Sequence, residues 1–370
     1  VSVRDLADYP WDAVEPFRDR AAKHPQGLID LSVGSPVDPT PEIIRRALAE
    51  ATDAHGYPQT LGTPSLREAI VAWYARRRGV PDLTVANVLP TIGSKELVAL
   101  LPTLLGLGAG DIVVHPRVAY PTYEVGARVV GAVPVAADDP AEWPEGAKLI
   151  WINTPGNPDG RTWSVDELAV AVQRARELGA VLASDECYAE LGWDGPWATE
   201  PIPSILDPRV TGGKRSNLLS VYSLSKQSNL AGYRAAFVAG CAHIVGDLLT
   251  ARKHLGLMPP APVQHAMAVA LGDDEHVAVQ KELYRERRDA LRPALEAAGF
   301  RIDGSEAGLY LWSTEGRDAW ESMGRLADLG ILAGPGPFYG SDSGQHVRLA
   351  LTAATAHIAE AARRLHDAQL

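Results

Sequence analysis

Cysteine is almost missing from this chain of 370 residues: Cys187 and Cys241 are its only two. They form no C-x-x-C pair and are too few for a disulfide framework or a structural zinc site, so no metal centre is expected. An uninterrupted apolar run of membrane length is missing too, as is a charged-then-apolar leader over the first residues. The expected location is therefore the cytoplasm, with no membrane partner. Net positive charge is also absent. The formal net charge of −11 argues against nucleic acid or an anionic membrane surface as partner. Arg76-Arg77-Arg78 is the one compact basic run, and it precedes Gly79 at the end of a helical pattern. Cations there complement the helix dipole and glycine supplies the cap. The patterns G-x-x-x-x-G-K-[ST], H-E-x-x-H and G-x-S-x-G do not occur, and Gly106, Gly108 and Gly110 lack the G-x-G-x-x-G order.

What is present is ordinary globular composition, 46% hydrophobic and 22% charged, in a chain long enough for two or three domains. Residues 1–40 are proline-rich and read as irregular. Pro41 then opens a helical pattern, PEIIRRALAEA, and GYPQTLGTPSLREAIVAWYARRRG reads as a loop followed by an amphipathic helix. Strand-like segments at 111–115, 148–152, 181–184, 218–222 and 235–239 alternate with helical patterns at the spacing of βαβ units. Ser164 with Glu167 makes a capping box for a helix that runs to Gly179. After residue 265 the pattern changes to a long charged helix over 275–298, then LYLWS at 309–313, residues 331–333 and HVRLALT at 346–352. The expected architecture is α/β: a large domain over 41–265, a smaller α+β domain over 266–370, and an N-terminal segment (1–40) joining the small domain. Ligands of open α/β sheets sit at strand ends, so the chemistry is expected there.

The densest stretch is residues 222–240, YSLSKQSNLAGYRAAFVAG. Lys226 lies between Ser223 and Ser225 just past an apolar run, and Arg234 follows eight positions on. A lysine amine can form an imine with an aldehyde while hydroxyls and a guanidinium hold a phosphate on the same molecule, which describes pyridoxal phosphate. Taken alone, the stretch reads equally well as a polar loop with a solvated lysine. Asp185 ends a buried-type strand in SDECY, as a turn cap or as the partner that keeps a pyridine nitrogen protonated. Tyr188 follows three residues later, packed or with its hydroxyl on the ring's phenolate oxygen. Asn157 lies in the turn sequence TPGNPDG, and a rigid turn can aim an amide. Gly93-Ser94-Lys95 opens a helix whose free N–H groups suit an anion. Tyr120 offers a ring for stacking. Arg348 sits inside a strand-like run, where it needs either a buried ion pair or a substrate carboxylate.

In order, these marks are a glycine-led helix start, a stacking tyrosine, N-P-x-G, D-E-x-Y, S-x-S-K, G-x-R and a late arginine. Over nearly the whole chain the sequence resembles the fold-type I, class I/II aminotransferases that use pyridoxal phosphate. The resemblance implies an aspartate-aminotransferase-like fold with a mostly parallel seven-stranded sheet between helices in the large domain. It implies Lys226 as the imine-forming lysine and proton carrier, Asp185 at the pyridine nitrogen, and Asn157 and Tyr188 at the phenolate oxygen. Ser94, Lys95, Ser223, Ser225 and Arg234 would hold the phosphate, and Tyr120 would stack on the ring. Arg348 would anchor the substrate α-carboxylate, with Gly34 and Asn157 lining its pocket. Tyr57 matches a tyrosine sent across a dimer interface to the phosphate, so a homodimer with shared active sites is implied. N-P-D-G stands where N-P-T-G is common; Asp tolerates turns, so no consequence is expected. GYPQTLGT, VLPTIGSKEL, AYPTYEVGA, SDECY, SLSKQSNLAGYRA and RKHLGLMPPAPVQHAM are most similar to the actinobacterial N-succinyldiaminopimelate aminotransferases. That likeness implies small-molecule amino acid and 2-oxo acid substrates, in lysine and diaminopimelate biosynthesis. Rival readings are an aminotransferase of aspartate or an aromatic amino acid, or a carbon–sulfur β-lyase on the same fold.

Overall fold

The computed structural model describes residues 10–368. Seven strands form its main sheet: β1 (Val88–Ile92), β2 (Ile112–His115), β3 (Val133–Ala136), β4 (Ala147–Asn153), β5 (Val181–Asp185), β6 (Leu218–Ser223) and β7 (Ala235–Gly240). Their spatial order is β1-β7-β6-β5-β4-β2-β3. Strand β7 runs antiparallel to both its neighbours, and the remaining pairs are parallel. Strands β6 and β7 are buried along their whole length, which is why they read as continuous apolar runs. Strand β3 escaped the sequence reading. It is a partly exposed edge strand of four residues that includes Pro134, which only an edge tolerates.

Helices cover both faces. Glu42–Glu50, Pro64–Arg77, Val165–Leu178 and Ala261–Gly272 bury their apolar residues in one core, and Ser94–Leu104, Thr122–Val129 and Ala242–Leu255 contribute to another. The Ser164–Glu167 capping box forms, and Gly179 caps the same helix in the left-handed conformation. Ala266, Met267, Ala270 and Leu271 belong to the first core. We therefore place the end of the large unit at Gly272 rather than at residue 265, which falls inside a helix.

The smaller unit is built on an antiparallel sheet of Arg301–Ile302, Tyr310–Thr314, His346–Ala350 and Gly334–Pro335. The N-terminal segment joins it, with Ile29–Asp30 pairing in parallel with Ile331–Leu332. That segment is less irregular than its prolines suggested. Glu15–Ala22 is helical, and Phe17 stacks on Trp320 with ring centroids 5.7 Å apart. Among the described residues no helix is long and apolar enough to cross a membrane.

The basic run at 76–78 ends its helix as expected, with Gly79 at φ +66°. Its side chains do more than complement a dipole. Arg76 takes both carboxylate oxygens of Asp274 at 3.0 Å, and Arg77 pairs with Glu190. Arg78 is buried, donating to Glu186 at 3.0 Å and to the Ile202 carbonyl at 2.7 Å. Glu186 also accepts from the Ser204 hydroxyl and the Ile205 amide, so the carboxylate next to Asp185 is fixed from three sides. Removing one member of such a pair leaves an uncompensated buried charge. Arg78→Ala should therefore lower unfolding stability by about 3–5 kcal/mol in urea denaturation. A loss below ~1 kcal/mol would mean that the pair is dispensable.

Candidate active site

The sheet topology gathers several of the singled-out residues at one edge. Asn153, the last residue of β4, is register partner of Asp185, the last of β5, and Asp185 is partner of Val221 in β6. Because β7 is antiparallel, its first residue, Ala235, lies at this edge beside Ile92, the end of β1. Arg234 and Gly93, one position outside each strand, meet there: the Gly93 amide donates to the Arg234 carbonyl at 2.8 Å. Gly93 has φ +74°, which favours glycine, and a Cβ on it would push the Arg234 guanidinium aside. Ser94 begins the helix Ser94–Leu104, whose first turn has no side-chain cap. Its amides thus remain an anion seat, beside Arg234. Ser223 and Ser225 are buried and linked, hydroxyl to hydroxyl, at 2.8 Å. The Lys95 amine lies 6.0 Å from the centre of the Tyr120 ring, whose hydroxyl burial pushes up to about 12.

Asp185 is buried, and burial pushes its carboxyl above the usual range. Each oxygen has one donor: the Cys187 amide at 3.2 Å and the Tyr123 hydroxyl at 3.0 Å. The turn beyond β4 is held as its sequence implied. The Asn153 side chain donates to the Pro155 and Asp185 carbonyls and accepts from the Asn157 amide at 2.8 Å. Asp159 accepts from the Arg161 amide at 3.2 Å, an ordinary role for aspartate in a turn. The Asn157 side-chain oxygen accepts from Arg348 at 2.9 Å, which leaves its NH2 as the free end for another acceptor.

Arg348 is 5% exposed and has no carboxylate partner among the described residues. Its guanidinium lies 4.0 Å from the ring centre of Tyr310 and 4.9 Å from that of Tyr339. It donates to Asn157 and to the Ser32 carbonyl, and its Nε has no partner. The buried ion pair considered from sequence is therefore not the arrangement found. Lys226 donates its amine to the Gly34 carbonyl, bringing the N-terminal segment to the lysine. A Cβ on Gly34 would overlap the Tyr310 hydroxyl. Tyr57 stands apart from this cluster, fully exposed at 100% on a solvent-facing loop.

Several contributors were not found from sequence. Tyr123, Tyr310 and Tyr339 lie in apolar surroundings that read as core. The long helix Glu275–Ala297 supports the lysine loop along one stripe, with His276 on Ser228 at 2.8 Å, Gln280 on Asn229 at 2.7 Å and Tyr284 on the Lys226 carbonyl at 3.0 Å. One turn further, Arg287 pairs with Asp38 of the N-terminal segment. The spacing of four, four and three residues was the available signal. Asp273, His276 and Ser228 are joined in the order of a hydrolytic triad, at 2.6 and 2.8 Å. Ser228 has no exposed surface, so no substrate carbonyl can reach it and the chain of bonds serves the loop.

A mostly parallel seven-stranded sheet with an anion seat, a buried carboxylate and a lysine amine at one edge has the form of an aspartate-aminotransferase-like enzyme. The chain belongs to the aminotransferase class I and II family, whose profile matches residues 26–365, and this family and fold depend on pyridoxal phosphate. It is 52% identical over 364 residues to the 4-dedimethylamino-4-oxo-anhydrotetracycline transaminase OxyQ of Streptomyces rimosus, covering 98% of this chain and 100% of that one. The LL-diaminopimelate aminotransferase of Aquifex aeolicus is 34% identical, over 98% of this chain and 97% of its own. Among solved structures, a probable N-succinyldiaminopimelate aminotransferase from Thermus thermophilus superposes with a TM-score of 0.86 at 30% identity, over 97% and 99% of the two chains.

Proposed function

We propose that Lys226 is the amine through which this aminotransferase bonds pyridoxal phosphate, and that it moves an amino group from glutamate to N-succinyl-2-amino-6-oxopimelate. The observation that carries the site assignment is Arg348. A buried guanidinium without a carboxylate is costly unless a counter-charge arrives, and the α-carboxylate of an amino acid supplies one. The donor set fits the cofactor as well. The uncapped amides of Ser94 and Lys95, with Ser223, Ser225 and Arg234, match a phosphate, and buried Asp185 matches a protonated ring nitrogen.

Bound there, pyridoxal phosphate supplies an electron-accepting ring that makes the α-proton of an attached amino acid acidic. The protein's residues do the rest. Lys226 would carry the α-proton on its Nζ, and the Tyr284 hydroxyl on its backbone carbonyl anchors the loop from which that amine extends. Asp185, held by Tyr123 and the Cys187 amide, would keep the ring nitrogen protonated. Asn157 uses its oxygen on Arg348, and its NH2, with the Tyr188 hydroxyl, would donate to the phenolate oxygen. Tyr120 would stack on the ring, and Gly34 would leave room at the carboxylate pocket. Full exposure of Tyr57 supports its service in a second copy's phosphate site, hence a homodimer.

The acceptor is supported by the names of the diaminopimelate and N-succinyldiaminopimelate relatives. OxyQ, one of the relatives at 52% identity, favours a second reading, a polycyclic ketone acceptor like the one for which that protein is named. Purified protein given glutamate and both acceptors should aminate N-succinyl-2-amino-6-oxopimelate with the higher kcat/KM. Amination of the tetracycline precursor alone would transfer the assignment to the second reading. Pyruvate and thiol from cystathionine without any acceptor would indicate a β-lyase.

A further inference from the structure

We infer that Tyr310 is a further positioning residue of the site: its hydroxyl donates to Tyr188 and so leaves the Tyr188 proton aimed at the cofactor's phenolate oxygen. This rests on the site assignment proposed above. Tyr310 opens a strand of the smaller unit, whereas Tyr188 follows β5 of the large one, so the contact joins the two. Their hydroxyls lie 3.1 Å apart. Room for the Tyr310 hydroxyl exists only because residue 34 is glycine.

Each phenol has one proton, so if Tyr188 gives its own to the phenolate oxygen, the 3.1 Å contact can only be a bond that Tyr310 donates. The titratable and charged groups that act on Tyr310 and its surroundings are Arg348, Lys226, Tyr188, Cys187, Tyr120, Tyr284 and Tyr339. Burial raises the Tyr310 phenol, but the Arg348 and Lys226 cations together with the Tyr188 hydrogen bond outweigh it and hold the group below its ordinary value. Burial and the Tyr310 oxygen push Tyr188 well above. The neighbouring cations favour the same direction, with Tyr310 donating and Tyr188 accepting. A phenol that accepts a hydrogen bond donates its own proton more strongly, so the bond reinforces Tyr188 as well as orienting it. Phenylalanine would fill the same space and keep a ring against Arg348. Only the hydroxyl would be lost, and the hydroxyl serves Tyr188.

The test is the pH titration of the visible imine band in wild type, Tyr310→Phe, Tyr188→Phe and the double variant, each loaded with pyridoxal phosphate. Donation to the phenolate oxygen stabilises its anion without the imine proton, so losing donation moves the titration to higher pH. Tyr310→Phe should shift it upward by ~0.5 pH unit, less than Tyr188→Phe, since one neutral hydrogen bond acting through another is removed. In the Tyr188→Phe background the same change should add nothing. Gly34→Ala, which displaces the Tyr310 hydroxyl, should shift the titration in the same direction. An unmoved titration in Tyr310→Phe, or a shift that adds fully in the double variant, overturns the inference while Tyr188→Phe still moves the band. A wild type with no imine band overturns the underlying site assignment, and this inference with it.

Discussion

Lys226→Ala should lower kcat by about 10⁴-fold or more and abolish the visible imine band, while the far-ultraviolet circular dichroism stays that of wild type. A positioned general base alone is worth up to about 10⁴-fold, and each factor of ten is about 1.4 kcal/mol of barrier. Lys226 has two duties, so its loss removes the covalent attachment and the proton carrier together. The side chain is only partly buried and its amine bonds one backbone carbonyl, so folding does not depend on it. Turnover within tenfold of wild type would remove Lys226 from the chemistry.

Arg348→Met should raise KM for glutamate and reduce kcat/KM by about 10²–10³-fold, the effect expected when a buried charge-assisted pair with a carboxylate is lost. The same variant should largely lose its preference for an α-amino acid over the corresponding amine without the carboxylate, and that ratio separates recognition from general damage. Unchanged discrimination would mean that the carboxylate binds elsewhere. Methionine suits the site because it is apolar and flexible enough to fill the space between Tyr310 and Tyr339.

The parts legible in the sequence are those where polar residues interrupt an apolar pattern. Asp185 ends a buried-type strand, Arg348 breaks one and Lys226 follows one by three residues, and the sheet brings Asp185 to the edge where the other strands end. Turn chemistry was readable for the same reason, since Asn157 sits where prolines and glycines restrict the backbone, whereas Asn153, which accepts from its amide, was not singled out. Tyrosine in an apolar run gives no such signal. Tyr123 and Tyr310 look like core until a partner from distant sequence is known: Tyr123 meets Asp185 across 62 residues, and Tyr310 meets Tyr188 across 122. Arg78 read as a helix-end cation because nothing local marks Glu186, 108 residues away, as its partner. Strand β3 was invisible because an exposed edge of four residues has neither the apolar run of a buried strand nor a clean alternation.

The most direct measurement is to load the purified protein with pyridoxal phosphate, reduce it with borohydride and map the modified peptide by mass spectrometry. Reduction fixes an imine as a stable secondary amine on whichever lysine formed it. The cofactor mass is expected on Lys226 at one equivalent per chain. Attachment at Lys95 or another lysine, or no attachment at saturating cofactor, would contradict the account.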